Sequence, residues 1–163
     1  MSPRAAVRLE ALGFSEVYDY AAGKVDWAAM ALPVEGKAAE RRRAGDVARK
    51  GVPTCRLDEA VGDVRSRVEA AGWNLCMVTD DSGVVLGRLR QRVLNGAPDD
   101  IVEQVMEEGP TTTRPSTELD YIIPRMQKRK VGTIVVTKLN GQLVGILYRS
   151  DGEREMADSG GNS

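Results

Sequence analysis

Apolar residues in the middle of the chain follow a helical spacing and then a strand-like one. The helical spacing is shared by four residues: Leu57, Val61, Val64 and Val68. Two apolar runs come next, at 75–79 and 84–89, and the polar segment 80–83 between them ends in glycine, as many turns do. This order predicts a helix followed by a β-hairpin, with another helix beginning near Gln91.

The same order of patterns returns further along the chain. Four residues again share a helical spacing: Leu119, Ile122, Ile123 and Met126. Strand-like runs at 133–137 and 142–147 are joined through an Asn-Gly pair, a strong hairpin signal because both residues tolerate positive φ. A closing helix is predicted to begin near Asp151, which is placed to act as its N-cap. Pro124 predicts a kink or an early end of the preceding helix.

These two units are copies of one repeat. Gly51 matches Gly109 at an offset of 109 − 51 = 58 positions, and the same offset aligns residues 47–93 with residues 105–151 without a gap. Identical residues recur at this offset, including Thr54 and Thr112, Arg56 and Arg114, Gly83 and Gly141, and Gly87 and Gly145. One unit of roughly 50 residues buries too little surface to be stable alone, so the two are expected to pack together.

Composition places the chain among ordinary soluble globular proteins. It has 163 residues, of which 42% are apolar and 29% charged. No stretch reaches the roughly 18 apolar residues that a membrane helix needs, and the first residues lack the apolar core of a signal peptide, so a cytoplasmic location is expected. Cys55 and Cys76 lie in apolar contexts that suit buried thiols of a reducing compartment and not a disulfide.

Charge and the missing histidine exclude several function classes. The 23 basic and 24 acidic residues leave a net charge of −1, so neither nucleic acid nor a membrane is expected as a partner. The chain contains no histidine, which removes the usual general base, the Ser-His and Cys-His nucleophile pairs and the commonest metal ligand. We therefore expect no enzymatic activity, no catalytic residues and no metal site.

The end of the second unit carries the most specific motif. Residues 145–151 read Gly-Ile-Leu-Tyr-Arg-Ser-Asp and follow the strand-like run at 131–136 and the Asn-Gly turn. These residues resemble the CBS (cystathionine-β-synthase-type) domain, and the two copies resemble a tandem CBS pair over about two-thirds of the chain. The resemblance implies an α/β (α+β) fold. In it, each repeat contributes a helix, a short hairpin and a helix, and the repeats pack as a pseudo-two-fold pair.

The resemblance also implies a ligand site, because many CBS pairs bind adenine nucleotides or S-adenosylmethionine in clefts between their sheets. In the family the final Asp holds the ribose hydroxyls, and hydroxyl residues one and three places earlier help to hold phosphate. Asp151 and Ser150 match this pattern, whereas Tyr148 replaces the usual Ser or Thr and stands beside Arg149. Two alternatives stay open from the residues alone, since Asp151 also suits a plain helix cap and Arg149 a solvated position.

By the same resemblance, the adenine would face backbone groups of Ile134 and Val135 and the segment from Gly109 to Thr112. The corresponding end of the first copy, residues 90–93, has Val93 in place of the aspartate. The ribose carboxylate is absent there, so at most one good adenosine site is expected.

The resulting hypothesis is a regulatory, ligand-sensing module. Its ligand would be an adenosine-containing metabolite (AMP, ADP, ATP or S-adenosylmethionine), acting as a regulator and not as a cofactor. The alternative is a ligand-free module for structural dimerisation or interaction. Homodimerisation is expected from the resemblance in either case.

The N-terminal segment lies outside the repeat and resembles the C-terminal third of a rhodanese-like domain. A helix is predicted over residues 4–12, ended by Gly13, and a short strand over 17–20. The segment has no cysteine to act as a nucleophile. Two explanations stay open. In one, the front of a rhodanese domain precedes this sequence, and a sulfurtransferase activity is the expectation. In the other, the segment is a remnant that packs Phe14, Trp27 and Met30 against the CBS pair.

These patterns divide the chain into five parts. The rhodanese-like fragment covers residues 1–36, and a charged linker covers 37–46. The repeats cover 47–96 and 101–153, and a disordered tail covers 154–163. The linker includes three consecutive arginines at 41–43, which we interpret as part of a solvated helical segment and not as a nucleic-acid patch, because no aromatic residues are interleaved.

Overall fold

A computed structural model describes residues 3–17 and 41–160 of the chain. Its helices are α1 (Pro3–Ala11), α2 (Ala44–Val47), α3 (Val61–Ala70), α4 (Gln91–Leu94), α5 (Val102–Val105), α6 (Leu119–Lys128) and α7 (Arg149–Gly160). Its strands are β1 (Thr54–Cys55), β2 (Leu75–Thr79), β3 (Val85–Arg90), β4 (Glu107–Glu108), β5 (Thr112–Thr113), β6 (Thr133–Thr137) and β7 (Leu143–Tyr148). No helix in these two ranges is long and apolar enough to cross a membrane.

The strands form two sheets that repeat one topology. In the first sheet the order is β1-β2-β3-β4, and in the second it is β5-β6-β7. Thr54 pairs in parallel with Met77, and the equivalent Thr112 pairs in parallel with Val135. β2 and β3 are antiparallel, as are β6 and β7, and each hairpin shifts register at the same repeat position. Both hairpins predicted from the sequence are therefore present.

The two repeats exchange the segments at their N-terminal ends. The backbone of Arg49, at the start of the first repeat, pairs with Ile146 of β7 through N–O distances of 2.9 and 3.0 Å. β4, at the start of the second repeat, pairs instead with β3 of the first. The short helices follow the same rule, since α2 contacts β7 and α7, while Val102 of α5 lies in the first repeat's core. Each repeat thus completes its partner's sheet and core.

Three apolar clusters result from this exchange. The first repeat packs its helix against one sheet face, with a core that includes Val64, Val78, Leu89 and Val102. The second repeat does the same with Ala44, Leu119, Ile123, Val136 and Leu147. A third cluster lies between the sheets and joins both repeats through Val52, Leu75, Met77, Val135 and Ile146.

The pseudo-two-fold axis runs through the two hairpin turns. Val84 pairs through its backbone with Gln142, which is the equivalent residue of the second repeat, and the hydrogen bonds on either side are similar in length. The Val85 amide donates to the Gly141 carbonyl at 3.1 Å, and the Leu143 amide donates to the Gly83 carbonyl at 3.0 Å. These bonds hold the two sheets in register.

The predicted linker over residues 37–46 is corrected at its end. Ala44 is completely buried against the second repeat, so this part is not solvated. Arg41 forms an ion pair with Glu118 at 2.7 Å, and Arg42 forms one with Glu155 at 3.1 Å. The arginines are thus anchored to the second repeat, which disfavours a nucleic-acid patch. Residues 37–40 lie outside the described residues.

The predicted disorder over residues 154–163 is wrong through Gly160, because α7 continues to that point. Met156 packs against the second core, and Glu155 forms the ion pair with Arg42 at 3.1 Å. Polar composition concealed these contacts. Asp151 is the third residue of α7 and not its N-cap, and α6 continues past Pro124 and does not end there.

The N-terminal helix is present as α1, close to its predicted bounds. Phe14 is 60% exposed, so it does not pack as the remnant hypothesis expects. Trp27, Met30 and most of the predicted strand over 17–20 lie outside the described residues. The rhodanese-like resemblance therefore stays a prediction.

The exchange of segments predicts a large effect of Gly145→Ala. A Cβ at Gly145 would lie 2.5 Å from the carbonyl oxygen of Arg49, where the exchanged backbone meets β7. We expect the free energy of unfolding to fall by about 1–3 kcal/mol, measured by urea denaturation. Gly132→Ala is the control, because its Cβ would meet nothing within 4 Å, and its change should stay below about 0.5 kcal/mol. Equal effects of the two variants would contradict the close approach.

Candidate functional site

Asp151 stands at the start of α7 with its carboxylate held by two arginines. Arg49 donates from Nε to Oδ2 at 2.6 Å and from Nη2 to Oδ1 at 3.0 Å. Arg154 donates to Oδ1 at 3.1 Å. The Asp151 side chain is only 10% exposed, whereas that of Arg49 is 53% exposed. A largely buried carboxylate is thus paired with a guanidinium that is about half exposed to solvent.

The exchange of segments explains why Arg49 reaches this carboxylate. Its backbone is fixed at the edge of β7 by pairing with Ile146, two residues before Tyr148. The Arg49 guanidinium also lies over the Tyr148 ring, 4.4 Å from its centroid, which is a cation–π arrangement. The cluster of Arg49, Tyr148 and Asp151 therefore joins the start of the first repeat to the end of the second.

The electrostatics of the cluster follow from these contacts. The hydrogen bonds from Arg49 lower the pKa of Asp151 below its ordinary value, and the same bonds raise the pKa of Arg49. Burial raises the pKa of Tyr148. At neutral pH the site therefore holds a carboxylate, a guanidinium and a neutral phenol.

A polar cavity of about 420 Å³ opens beside this cluster. Six charged side chains border it: Arg42, Asp46, Arg49, Asp151, Arg154 and Glu155. Arginines offer several donors for phosphate or carboxylate, and the aspartate accepts hydroxyl protons. The cavity therefore has the chemistry to hold an anionic ligand that also carries hydroxyl groups. The described ranges contain no group of three side chains suited to hold a metal ion.

The other residues predicted for the site are divided between two places. Val135 is 1% exposed in the cluster between the sheets, against which Tyr148 packs. Ile134 points to the opposite face, into the second repeat's core, and lines a separate cavity together with Thr112. β5 and Arg49 lie at opposite edges of the sheet, roughly 14 Å apart at three strand spacings. The structure thus places Thr112 and Ile134 away from Asp151.

Ser150 and Arg149 flank the cluster without joining it. Ser150 is exposed at the second position of α7. Arg149 Nε lies 3.4 Å from a carboxylate oxygen of Glu153, one helical turn ahead. The described contacts therefore tie Arg149 to its own helix and not to Asp151.

Sequence reasoning missed Arg49, the residue most directly engaged with Asp151. The repeat held a signal, because the equivalents of Arg49 and Ile146 are Glu107 and Arg88, which pair at 2.8 Å in the first sheet. The same edge position thus holds a charged residue in both sheets, Arg49 in the second sheet and Glu107 in the first. Val52 and Met77 were also missed, and they bring the first repeat to the inter-sheet cluster beside Tyr148.

The corresponding place in the first repeat has lost its carboxylate. Val93 occupies the position of Asp151. Arg90 lies 3.1 Å from Glu107, which also pairs with Arg88. Arg88 and Arg90 are thus engaged with an acid of the protein itself, and the two ends of the pair differ chemically.

The lowered pKa of Asp151 predicts a pH-dependent contribution to stability. The ion pair stabilises the folded state above the pKa of an unfolded aspartate, about 3.9, and this contribution is lost as the pH falls through the folded pKa. At pH 7 we expect Asp151→Asn to lower the free energy of unfolding by about 1–2 kcal/mol, a range that allows for the exposure of Arg49. As the pH falls below about 4 the difference between wild type and variant should shrink progressively, as urea denaturation across pH can measure.

Asp158→Asn is the matched control, since Asp158 is exposed on the same helix. Its effect should stay below about 0.5 kcal/mol at every pH. A difference between wild type and Asp151→Asn that persists undiminished at pH 3 would show that the ion pair is not its source.

Comparison with known proteins agrees with this architecture. Residues 102–156 match the family profile of the CBS domain. None of the curated proteins matches the chain. Among solved structures, the cytosolic domain of the Mg²⁺ channel MgtE in complex with ATP is similar at a TM-score of 0.64 and 21% identity, over 72% of this chain and 51% of that one. The chain thus spans about half the length of this MgtE structure.

Two further structures are similar over nearly their whole length. The CBS-pair protein CBSX2 from Arabidopsis thaliana has a TM-score of 0.63 and 19% identity, over 76% of this chain and 99% of that one. The CBS domain pair of protein MJ0100, in complex with 5′-methylthioadenosine and S-adenosyl-L-methionine, has a TM-score of 0.62 and 16% identity, over 72% and 98%.

At such identities the likeness establishes the fold, and it confirms the predicted α/β (α+β) class and the packing of two repeats as a pair. Residues 102–156 therefore match the CBS domain family, and the two repeats together have the fold of a CBS-domain pair.

Proposed function

We propose that this chain is a regulatory module that binds an adenosine-containing metabolite in the cavity beside Asp151. The observation that carries the proposal is an ionised carboxylate at the start of α7, set in an open polar cavity with three arginines. Similar CBS structures contain ATP, or 5′-methylthioadenosine and S-adenosyl-L-methionine. AMP, ADP, ATP and S-adenosylmethionine are the ligands to test.

The chemistry of the cavity suits such a ligand. A carboxylate accepts protons from both ribose hydroxyls, and the N-terminus of a helix favours a neighbouring anion. Arg49 and Arg154 offer donors to a phosphate or to the carboxylate of S-adenosylmethionine. The Tyr148 ring lies against the Arg49 guanidinium and provides an aromatic surface for a base.

Binding at Asp151 would also affect how the repeats pack. Arg49 belongs to the exchanged segment, so a ligand that takes over the Asp151 oxygens releases a contact between the two halves. A phosphate that accepts from Arg49 would compensate for this loss. The ligand acts as a regulator to the extent that it binds the two packings unequally.

The second candidate is a ligand-free module for structural dimerisation or interaction. It is favoured by the engagement of Asp151 with Arg49 and Arg154, and by the loss of the equivalent carboxylate at Val93. In both candidates we propose a non-enzymatic homodimer that works in the cytoplasm. The two differ in whether the cavity is ever occupied by a metabolite.

Calorimetric titration of the intact chain with the four ligands distinguishes the candidates. We expect saturable binding of at least one ligand, and a loss of affinity of about ten- to a hundredfold in Asp151→Ala, because charged hydrogen bonds to the ribose disappear. Asp158→Ala removes an exposed carboxylate of the same helix and should leave affinity within about twofold. No heat from any ligand, with a cooperative unfolding transition present, would favour the structural module.

A further inference from the structure

In the first repeat, one arginine links the edge strand β1 to helix α3. Arg67 of α3 donates from Nη1 to the carbonyl oxygen of Thr54 at 2.7 Å. The same guanidinium forms an ion pair with Glu59. One arginine thus covers the open edge of β1 and is itself satisfied by a carboxylate.

In the described part of the second repeat, the equivalent link between β5 and α6 is absent. Arg125 takes the place of Arg67, but Thr117 stands where Glu59 would supply the carboxylate. The Thr117 hydroxyl accepts a hydrogen bond from the Thr113 hydroxyl at 2.9 Å. The Arg125 guanidinium instead lies 4.9 Å from the centroid of the Tyr121 ring and donates a hydrogen bond to the Tyr121 hydroxyl. Within the described ranges Arg125 forms no ion pair. A cavity of about 250 Å³ lies between β5 and α6.

The edge strand that borders this cavity has backbone groups available for pairing. β5 is the outermost strand of the second sheet, and the Thr111 carbonyl accepts from the Val135 amide of β6 at 3.2 Å. Backbone groups of successive strand residues point in alternate directions, so those of Thr112 face away from β6. Unpaired edge groups of this kind accept an added strand.

Two cations line the cavity, Arg125 and Arg129. Lys128, Arg129 and Lys130 follow Arg125 at the end of α6, and all four side chains are exposed. The equivalent positions of the first repeat, residues 70–72, are Ala-Ala-Gly. Basic residues at a helix C-terminus also stabilise the helix dipole, an effect that falls off within the last turn. A cluster of cations without acidic partners in the described contacts is suited to an acidic ligand.

We infer that the groove between β5 and α6 binds an extended acidic peptide segment of a partner protein. The peptide pairs with the outward backbone groups of Thr112, and one of its carboxylates takes the place at Arg125 that Glu59 takes at Arg67. The apolar side chains of Ile122, Met126 and Val131 border the cavity and receive an alternating apolar residue. This site is separate from the proposed metabolite cavity and does not depend on it.

The test uses the full chain and two peptides, acetyl-Glu-Val-Glu-Val-Glu-amide and its glutamine counterpart. Titration followed by amide NMR should show saturable shifts at residues 111–113 and 121–131 with the first peptide. The glutamine peptide and the Arg125→Gln variant should each bind at least about tenfold more weakly. Arg92→Gln is the charge control, because Arg92 is exposed in the first repeat, and it should change affinity by less than about twofold.

Thr117→Glu is the decisive variant, because it restores the missing carboxylate and leaves every cation in place. We expect the new carboxylate to form an ion pair with Arg125 and to lower the affinity for the acidic peptide at least about tenfold. The affinity of Thr117→Gln should stay within about twofold of wild type. Unchanged binding by Thr117→Glu would overturn the proposal, as would no saturable shift or equal binding of the two peptides. Equal binding of free glutarate, or shifts that sedimentation traces to self-association, would also overturn it.

Discussion

The exchange of N-terminal segments between the repeats is the constraint on which the rest of this structure depends. Arg49 pairs with β7 of the second repeat, and β4 pairs with β3 of the first, so neither sheet is complete without residues from the start of the other repeat. The same crossing places Ala44 in the second core and Val102 in the first. A repeat cut from its partner would expose these contacts and one face of its sheet, which explains why two copies occur in one chain.

The exchange also creates the candidate metabolite site. Arg49 reaches Asp151 only because its backbone is fixed at the far edge of β7. The resulting cluster connects the two halves of the molecule through one carboxylate. A ligand bound there competes with an internal contact, and this competition gives binding a route to the packing of the repeats.

The two repeats have diverged so that each lacks a carboxylate that the other one has. The first repeat has lost the carboxylate at Val93 and keeps its edge closed through Arg67 and Glu59. The second keeps Asp151 but has Thr117 in place of the acid, so its edge beside Arg125 is open. Equivalent backbone positions therefore carry different chemistry, and the pseudo-symmetry of the fold does not extend to its surface.

The sequence by itself determined the repeat, the hairpins and the main helices. Val64, Val78, Leu119 and Ile134 occur at periods set by local geometry, and Asn140-Gly141 marks a turn directly. It also singled out Asp151 and Tyr148, which the structure brings together through Arg49. It did not predict the burial of Ala44 or the extension of α7, because both depend on contacts with the second core.

Only the tertiary structure decided which residues share a site. Arg49 and Asp151 are 102 positions apart, and no periodicity relates them. Thr112 and Ile134 belong to the same repeat as Asp151, yet the sheet separates them by strand order and by face. Local patterns specify which face of an element is apolar, whereas the crossing of the exchanged segments decides which edges meet, since that crossing depends on how the two finished sheets pack.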